Sequence, residues 1–385
     1  MRYIDIRTAL PATQRLVSLE ALRGFNFVWI LGGDGAVIAL ADIVRAHGGR
    51  HLAALGAVLR EQMTHPYWEG LRFYDLIFPL FVVITGVAIT LSLPGLVARE
   101  GKAKAHWRVI RRALILYVLG LIYYGGLRES FDDIRYVGVL QRIAFCYLAA
   151  SVLFLNLNWR GLIAVTVALL AGYWALMTFV PVPGVGAGSY APNANLANWI
   201  DTQWLPGRMW DKTRDPEGLL STLPAVATCL IGVLAGVLLQ AKPLTPSQKS
   251  LALVGGGIVM TAAGYLWSLE MPLIKPIWTS SFVLATGGMS LILLGTFHQV
   301  IDVWGCKRWT TAFVWIGANA ITLYVLNALM GFDEPARRIA GGEFGEWLDE
   351  VFVHGVGALI VNLTTLGLVI ALAGYLYRRK IFLRV

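Results

Sequence analysis

The chain has 385 residues, 57% of them hydrophobic and 14% charged, with a mean hydropathy of +0.64. A soluble protein of this size needs far more charge to wet its surface, so the apolar surplus must face lipid. The net charge of +9 does not point to nucleic acid, because Lys and Arg cluster between apolar runs with no nucleic-acid-binding motif beside them; membrane orientation accounts for them more simply.

Apolar runs near the ~20 residues that cross a hydrocarbon core recur from one end to the other. They predict an all-α, polytopic membrane bundle of about ten helices, at roughly residues 19–42, 73–94, 113–127, 137–156, 161–180, 218–240, 251–268, 279–299, 311–330 and 351–376. The loops are too short for another core, so one transmembrane domain over 1–385 is expected. Arg2, Arg7, Arg15 and Arg23 precede the apolar stretch from Phe27 to Ile38, and no small-residue cleavage site follows closely, so the run reads as a retained helix and not a cleaved signal. If each run crosses once, the segment before the first helix, the loop from Arg99 to Arg112, and the tail with Arg378, Arg379, Lys380 and Arg384 share one side. The positive-inside rule then puts both termini in the cytoplasm. The other side carries residues 47–72, with a short surface helix over 53–63, and the more acidic loops around Glu129, Asp132 and Asp133, 181–217 and 333–350. Pro79 and Pro224 interrupt the second and sixth runs, which predicts interior-facing helices, bent for packing or opened around a wet cavity. Cys146, Cys229 and Cys306 form no disulfide framework. No internal repeat is evident, which weakens an inverted-repeat transporter reading.

Ionisable groups in or beside a span cost ~2.5–3.5 kcal/mol at its centre and need a reason to be there. Asp34 lies in Leu-Gly-Gly-Asp-Gly, where the glycines admit a ligand or neighbouring backbone; an Arg-paired structural role is the alternative. His65, Trp68, Glu69 and Asp75 lead into the second helix, combining an imidazole that carries a proton near neutral pH with carboxylates and aromatics that stack on a sugar ring or anchor the interface. Arg142 sits just inside the fourth helix and requires a carboxylate such as Asp75 or Asp34, a phosphate, or water. Asp215 and Glu217 open the sixth helix, and Trp278, Ser280 and Ser281 the eighth; helix capping explains Asp215 well and Glu217 poorly. A shared polar cavity for a small, sugar-like or cationic ligand would resolve all these costs together.

The segments Arg15-Leu-Val-Ser-Leu-Glu-Ala-Leu-Arg-Gly-Phe, His65-Pro-Tyr-Trp-Glu-Gly with Asp75-Leu-Ile-Phe-Pro-Leu-Phe, Gly138-Val-Leu-Gln-Arg-Ile, Asp215-Pro-Glu-Gly, Trp278-Thr-Ser-Ser and Gly317-Ala-Asn319-Ala, taken in order, resemble the heparan-α-glucosaminide N-acetyltransferase family. The resemblance implies a dimeric membrane enzyme that takes acetyl-CoA from the cytosol and acetylates a glucosamine amine on the other side, with no metal. The family's catalytic His falls on His65 and its catalytic Asn on Asp34, where this chain departs from the pattern. Asp34 and His65 are then expected to handle protons and nucleophile positioning, by direct transfer or through an acetyl-His relay. Glu69, Asp215 and Glu217 would hold sugar hydroxyls, Trp68 and Trp278 would frame the ring, and Asp75, Arg142, Ser280 and Asn319 complete the expected substrate site. Arg108, Arg111, Arg112, Arg378, Arg379 and Lys380 are the cations available to the phosphates of acetyl-CoA, or serve only as the positive-inside signal. Without the extra N-terminal luminal region of lysosomal members, the chain is expected to be a bacterial-type inner-membrane form with a smaller acceptor. An amino-sugar transporter on the same fold is the competing class.

Overall fold

A computed structural model describes residues 16–383; Arg2, Arg7, Arg15 and Arg384 lie outside the described residues. Sixteen α-helices follow one another among them: α1 (Val17–Val28), α2 (Asp34–His47), α3 (Arg50–Gln62), α4 (Ile77–Glu100), α5 (Lys102–Tyr123), α6 (Val139–Asn156), α7 (Trp159–Phe179), α8 (Leu196–Trp204), α9 (Thr222–Leu239), α10 (Pro246–Trp267), α11 (Ser280–Phe297), α12 (Thr311–Ala318), α13 (Ala320–Met330), α14 (Asp333–Ala340), α15 (Glu343–Val351) and α16 (Val356–Arg378). The same residues form no strand, only three isolated β-bridges. By length and apolarity eight helices suffice to cross a membrane, or nine if α12 and α13, bent by 64° at Asn319, count as one span.

That differs from the ten runs expected. The run placed at 113–127 belongs to α5, which starts far earlier; its first half carries Lys102, Lys104, Arg108, Arg111 and Arg112, too basic to qualify as an apolar span. The first run continues to His47 through a π-helical stretch, Trp29–Gly33, where Gly32 adopts φ +117° and sets Asp34 at the start of α2. The surface helix expected over 53–63 forms as α3, and the loops 181–217 and 333–350 hold α8, α14 and α15. Pro79 and Pro224 are both buried, as expected of interior helices, but neither makes a mid-helix break. Each is the third residue of its α-helix, close to the N-terminal end where a proline disturbs the ladder least, with α4 running on from the 3-10 turn Phe73–Leu76.

α4 and α9 form the axis of the bundle, with 72% of the apolar window of each buried, against 22% for α10 and α16. Their backbones meet at glycines. A Cβ on Gly86 would stand 2.0 Å from the Cys229 carbonyl oxygen, and one on Gly232 would stand 2.1 Å from that of Val83. Small residues permit this approach, and dispersion over the contact replaces the hydrophobic drive that lipid cannot supply. At one end Gln240 Nε2 donates to Thr90 Oγ1 (2.9 Å); towards the other, Asn26 Nδ2 donates to the Ile77 carbonyl (2.8 Å) and ties α1 to the start of α4. Replacing Gly86 by Val should destabilise the protein by about 1–3 kcal/mol, because backbone cannot retreat as a side chain can. Gly172, with open space around it, should accept the same change. Melting in detergent separates the two, and equal melting temperatures would refute the close contact.

Candidate active site

His65 lies in the loop between α3 and α4. Arg72 braces that loop, donating to Thr64 Oγ1 (2.8 Å), the His65 carbonyl (3.2 Å) and Glu61 Oε1 (2.9 Å). A 3-10 turn, Phe73–Leu76, then buries Asp75 completely. Asp75 Oδ2 accepts the Arg72 N–H (3.0 Å) and Oδ1 lies 2.6 Å from His65 Nδ1. A carboxylate accepts, so Nδ1 carries the hydrogen and Nε2 presents a lone pair. The Tyr74 ring packs on the imidazole at 4.9 Å between centroids, and its hydroxyl is within hydrogen-bonding reach of Asp34. Lys275, from the loop between α10 and α11, brings Nζ to 3.3 Å from Asp75 Oδ1 and to 3.1 and 3.2 Å from His65 Nε2 and Nδ1. Burial pulls the Lys275 ammonium below its ordinary value against the opposing pull of Asp75.

Arg135 organises a second cluster. Its Nε and Nη2 clasp Asp215 at 2.9 and 2.7 Å, and Nη2 also donates to Glu217 Oε2 at 2.6 Å, all buried. Tyr124 and Trp210 face its guanidinium at 4.4 and 4.8 Å. Burial works against the Arg135 cation, but Asp215 and Glu217 outweigh it and raise its pKa. Burial pushes the Glu217 carboxyl up, with Arg142 and Arg135 opposing and Asp215 adding to the rise.

The two clusters share one cavity of about 470 Å³. Its rim is polar, with His65, Asp75, Lys275, Arg135, Glu217, Asp211 and Arg214, and its depth is apolar, with Phe78, Phe81, Leu140, Ile143 and Ile321. A second cavity of about 250 Å³ is also lined by Phe81, Leu140, Ile143 and Ile321, so a single layer of side chains parts the two. Into it face Arg23, Arg112 and Asn319; Arg112 Nε and Asn319 Oδ1 are buried without protein partners. Arg112 and Tyr147 also line a third cavity of about 380 Å³, together with Arg99, Arg108 and Arg111. Polar pockets thus continue from the His65 end to the basic end. Among the described residues no group of His, Cys, Asp and Glu is arranged to hold a metal ion.

The expected site residues divide accordingly. His65, Trp68, Asp75 and Glu217 line the first cavity, Asn319 the second, and Arg108, Arg111 and Arg112 the third. Asp215 stands behind Glu217 as the Arg135 partner. Asp34 does not line the first cavity; it bonds the hydroxyl of Tyr74, whose ring packs on His65. Glu69 is exposed and pairs its backbone with Ile274. Arg142 donates to the Gly218 carbonyl (3.2 Å) and the Ser221 hydroxyl, not to Asp75 or Asp34. Trp278 is 1% exposed, donates to Thr228 Oγ1 (3.1 Å) and packs edge-on against Phe78, so it supports the cavity wall from behind. Ser280 is bonded to the Leu170 carbonyl (2.8 Å). Arg378 and Arg379 lie against Trp315 and Tyr375 and, like Lys380, line none of the three cavities. The sequence reading missed Tyr74, Arg135, Arg214 and Lys275; of these only Lys275, a lone cation in the apolar Pro272-Leu-Ile-Lys-Pro-Ile stretch, carries a signal.

A family model described as "Heparan-alpha-glucosaminide N-acetyltransferase, catalytic" matches residues 36–259. The heparan-alpha-glucosaminide N-acetyltransferase of Mus musculus is 26% identical over 91% of this chain and 59% of its own length. That of Homo sapiens is 26% identical over 97% and 62%. The chain thus spans about three fifths of the length of these curated relatives.

Behind the Arg135 cluster, Asp201 of α8 is 2% exposed and accepts the Leu219 N–H (2.8 Å), packing against Gly218 beside Glu217. Burial raises its carboxyl from 3.8 to about 7. A folded-state pKa above the unfolded one gives stability that is full below the unfolded value and lost as pH climbs through the folded value. Melting temperature should therefore fall between about pH 4 and pH 7, and Asp201→Asn, which keeps the acceptor for Leu219, should flatten that fall. An unchanged slope in the variant would contradict the assignment.

Proposed function

The chain belongs to the heparan-α-glucosaminide N-acetyltransferase family, and we propose that it is a transmembrane N-acetyltransferase moving an acetyl group from acetyl-CoA to the amine of glucosamine or a glucosamine-containing glycan. The observation that carries this reading is the succession of pockets: an imidazole oriented by a buried carboxylate at one end, basic pockets at the other, and one layer of side chains between adjoining cavities. Such a site takes a donor and an acceptor from opposite faces.

The donor's phosphates would meet Arg99, Arg108, Arg111 and Arg112, with the pantetheine arm passing the orphaned Arg112 Nε and Asn319 Oδ1 towards the apolar floor. The acceptor sugar would enter over Trp68, with Glu217 accepting its hydroxyls. In direct transfer the amine nitrogen bonds to the thioester carbon, the C–S bond breaks, and His65 Nε2 takes the amine's proton and returns it to the CoA sulfur. In the relay Nε2 itself bonds to that carbon first and the C–S bond breaks, releasing CoA as its thiolate; the amine nitrogen then bonds to the acetyl carbon, the C–Nε2 bond breaks, and the amine's proton passes to the freed Nε2. Asp75 fixes the tautomer in both. Asp34 acts at one remove, holding the Tyr74 hydroxyl behind the ring.

If α12 and α13 make one span and α5 crosses on its apolar second half, the eight apolar helices become ten crossings, and the positive-inside rule would then put both termini and the basic pockets in the cytoplasm and His65 outside. The single domain would work in a bacterial inner membrane, as a homodimer in keeping with the resemblance.

Transfer of labelled acetyl from acetyl-CoA to glucosamine by the purified protein in nanodiscs tests the scheme. His65→Ala should lower it by about 10²–10⁴-fold. Arg108→Glu with Arg111→Glu should raise KM for acetyl-CoA and leave KM for the sugar alone. Binding or movement of amino sugars without any transfer would replace the enzyme by a transporter.

A further inference from the structure

Building on the reading of His65 as base or acetyl carrier, we infer that Lys275 is a positioning residue for His65, keeping the imidazole neutral and proton-accepting by sharing with it the one carboxylate of Asp75. Lys275 Nζ and His65 Nδ1 both reach Asp75 Oδ1, at 3.3 and 2.6 Å, and Asp75 is wholly buried. One carboxylate balances one cation. With Lys275 as an ammonium the trio is complete, and protonating His65 would place a second positive charge 3.1 Å from the first, with only the one buried carboxylate between them to balance both.

The position of the ammonium suits this task. Nζ is nearly equidistant from Nε2 and Nδ1, at 3.1 and 3.2 Å. A donor on the Nε2 lone-pair axis would lie much farther from Nδ1, so Lys275 acts on the ring's charge and leaves that lone pair open. When Nε2 accepts the amine's proton, the neighbouring ammonium makes the imidazolium a stronger acid and favours handing the proton on to the thiolate of CoA.

The other charges about the ring are already matched. Arg72, which donates to the His65 carbonyl, is paired with Glu61. Across the cavity Glu217 is held by Arg135 and Arg214 by Asp211, while Asp34 faces the ring only through the Tyr74 hydroxyl. Burial works against the Lys275 ammonium, and Asp75 and, at longer range, Glu217 oppose that pull.

Diethyl pyrocarbonate modifies neutral imidazole, and its rate at His65, followed by peptide mass spectrometry over pH on the full chain in nanodiscs, reports the ring's charge without substrates. Lys275→Met should move the midpoint up by about one unit or more, a tenfold gain in proton affinity. Lys275→Arg, which keeps the charge, should stay with the wild type. If the Met variant does not fold, Lys275→Gln is the neutral replacement read in the same way. An unchanged or lowered midpoint in the neutral variant, or an Arg variant that shifts as the neutral one does, overturns the inference. The measurement needs no turnover, so a protein that transfers no acetyl would sink the proposed activity and still answer the question about Lys275.

Discussion

The Asp75 carboxylate is the point on which the His65 end of the bundle depends. A buried, unpaired carboxylate is prohibitively costly, and Asp75 meets that cost with an imidazole, an ammonium and a backbone N–H. These donors come from the loop before α4, from the loop between α10 and α11, and from the turn that carries Asp75 itself. Satisfying one charge therefore fixes three segments against one another. Arg135 does the same on the facing wall, where it joins the loop after α5 to the stretch before α9 through Asp215 and Glu217. Removing Arg135 would leave Asp215 and Glu217 charged and dry, and removing His65 or Lys275 would leave the buried Asp75 short of a partner.

The cavity between these walls combines two solvents. Its rim is charged and open to water, whereas its depth is aromatic and aliphatic, and the next polar groups appear beyond Phe81 and Leu140. A polar head at either end and a thin apolar middle suit a molecule with a charged terminus and a long neutral arm. The 64° bend at Asn319 contributes directly, because it interrupts the helical ladder where the second cavity forms and leaves the Asn319 side chain facing that space.

Much of this arrangement was legible in the chain. Apolar run lengths marked the helices, and ionisable groups at the ends of apolar runs, His65, Asp75 and Glu217, marked three of the cavity's polar residues. What escaped has physical causes. α5 was taken to begin at 113 because its basic first half has no apolar periodicity, yet helix propensity carries it back to Lys102. Arg135 lies in an exposed-looking acidic loop, and only the folded chain brings it to Asp215, 80 positions away. Arg142 was expected to meet a carboxylate, a phosphate or water, and Trp278 to frame a sugar ring; in the fold Arg142 bonds the Ser221 hydroxyl and Trp278 that of Thr228, contacts that no local pattern encodes. Prolines 79 and 224 were read as breaks because a Pro in an apolar run looks the same whether it falls in a first turn or in mid-helix.

The contact of α4 with α9 through Gly86 and Gly232 has a mechanical consequence. α4 follows directly on Asp75, and α9 follows closely on Glu217, so the width of the mouth is set by two backbones in touch. A bilayer that thickens or thins must be accommodated by the lipid-facing helices, α10 and α16 foremost. His65, Asp75 and Glu217 would then keep their spacing while the lipid-facing helices tilt to follow the bilayer.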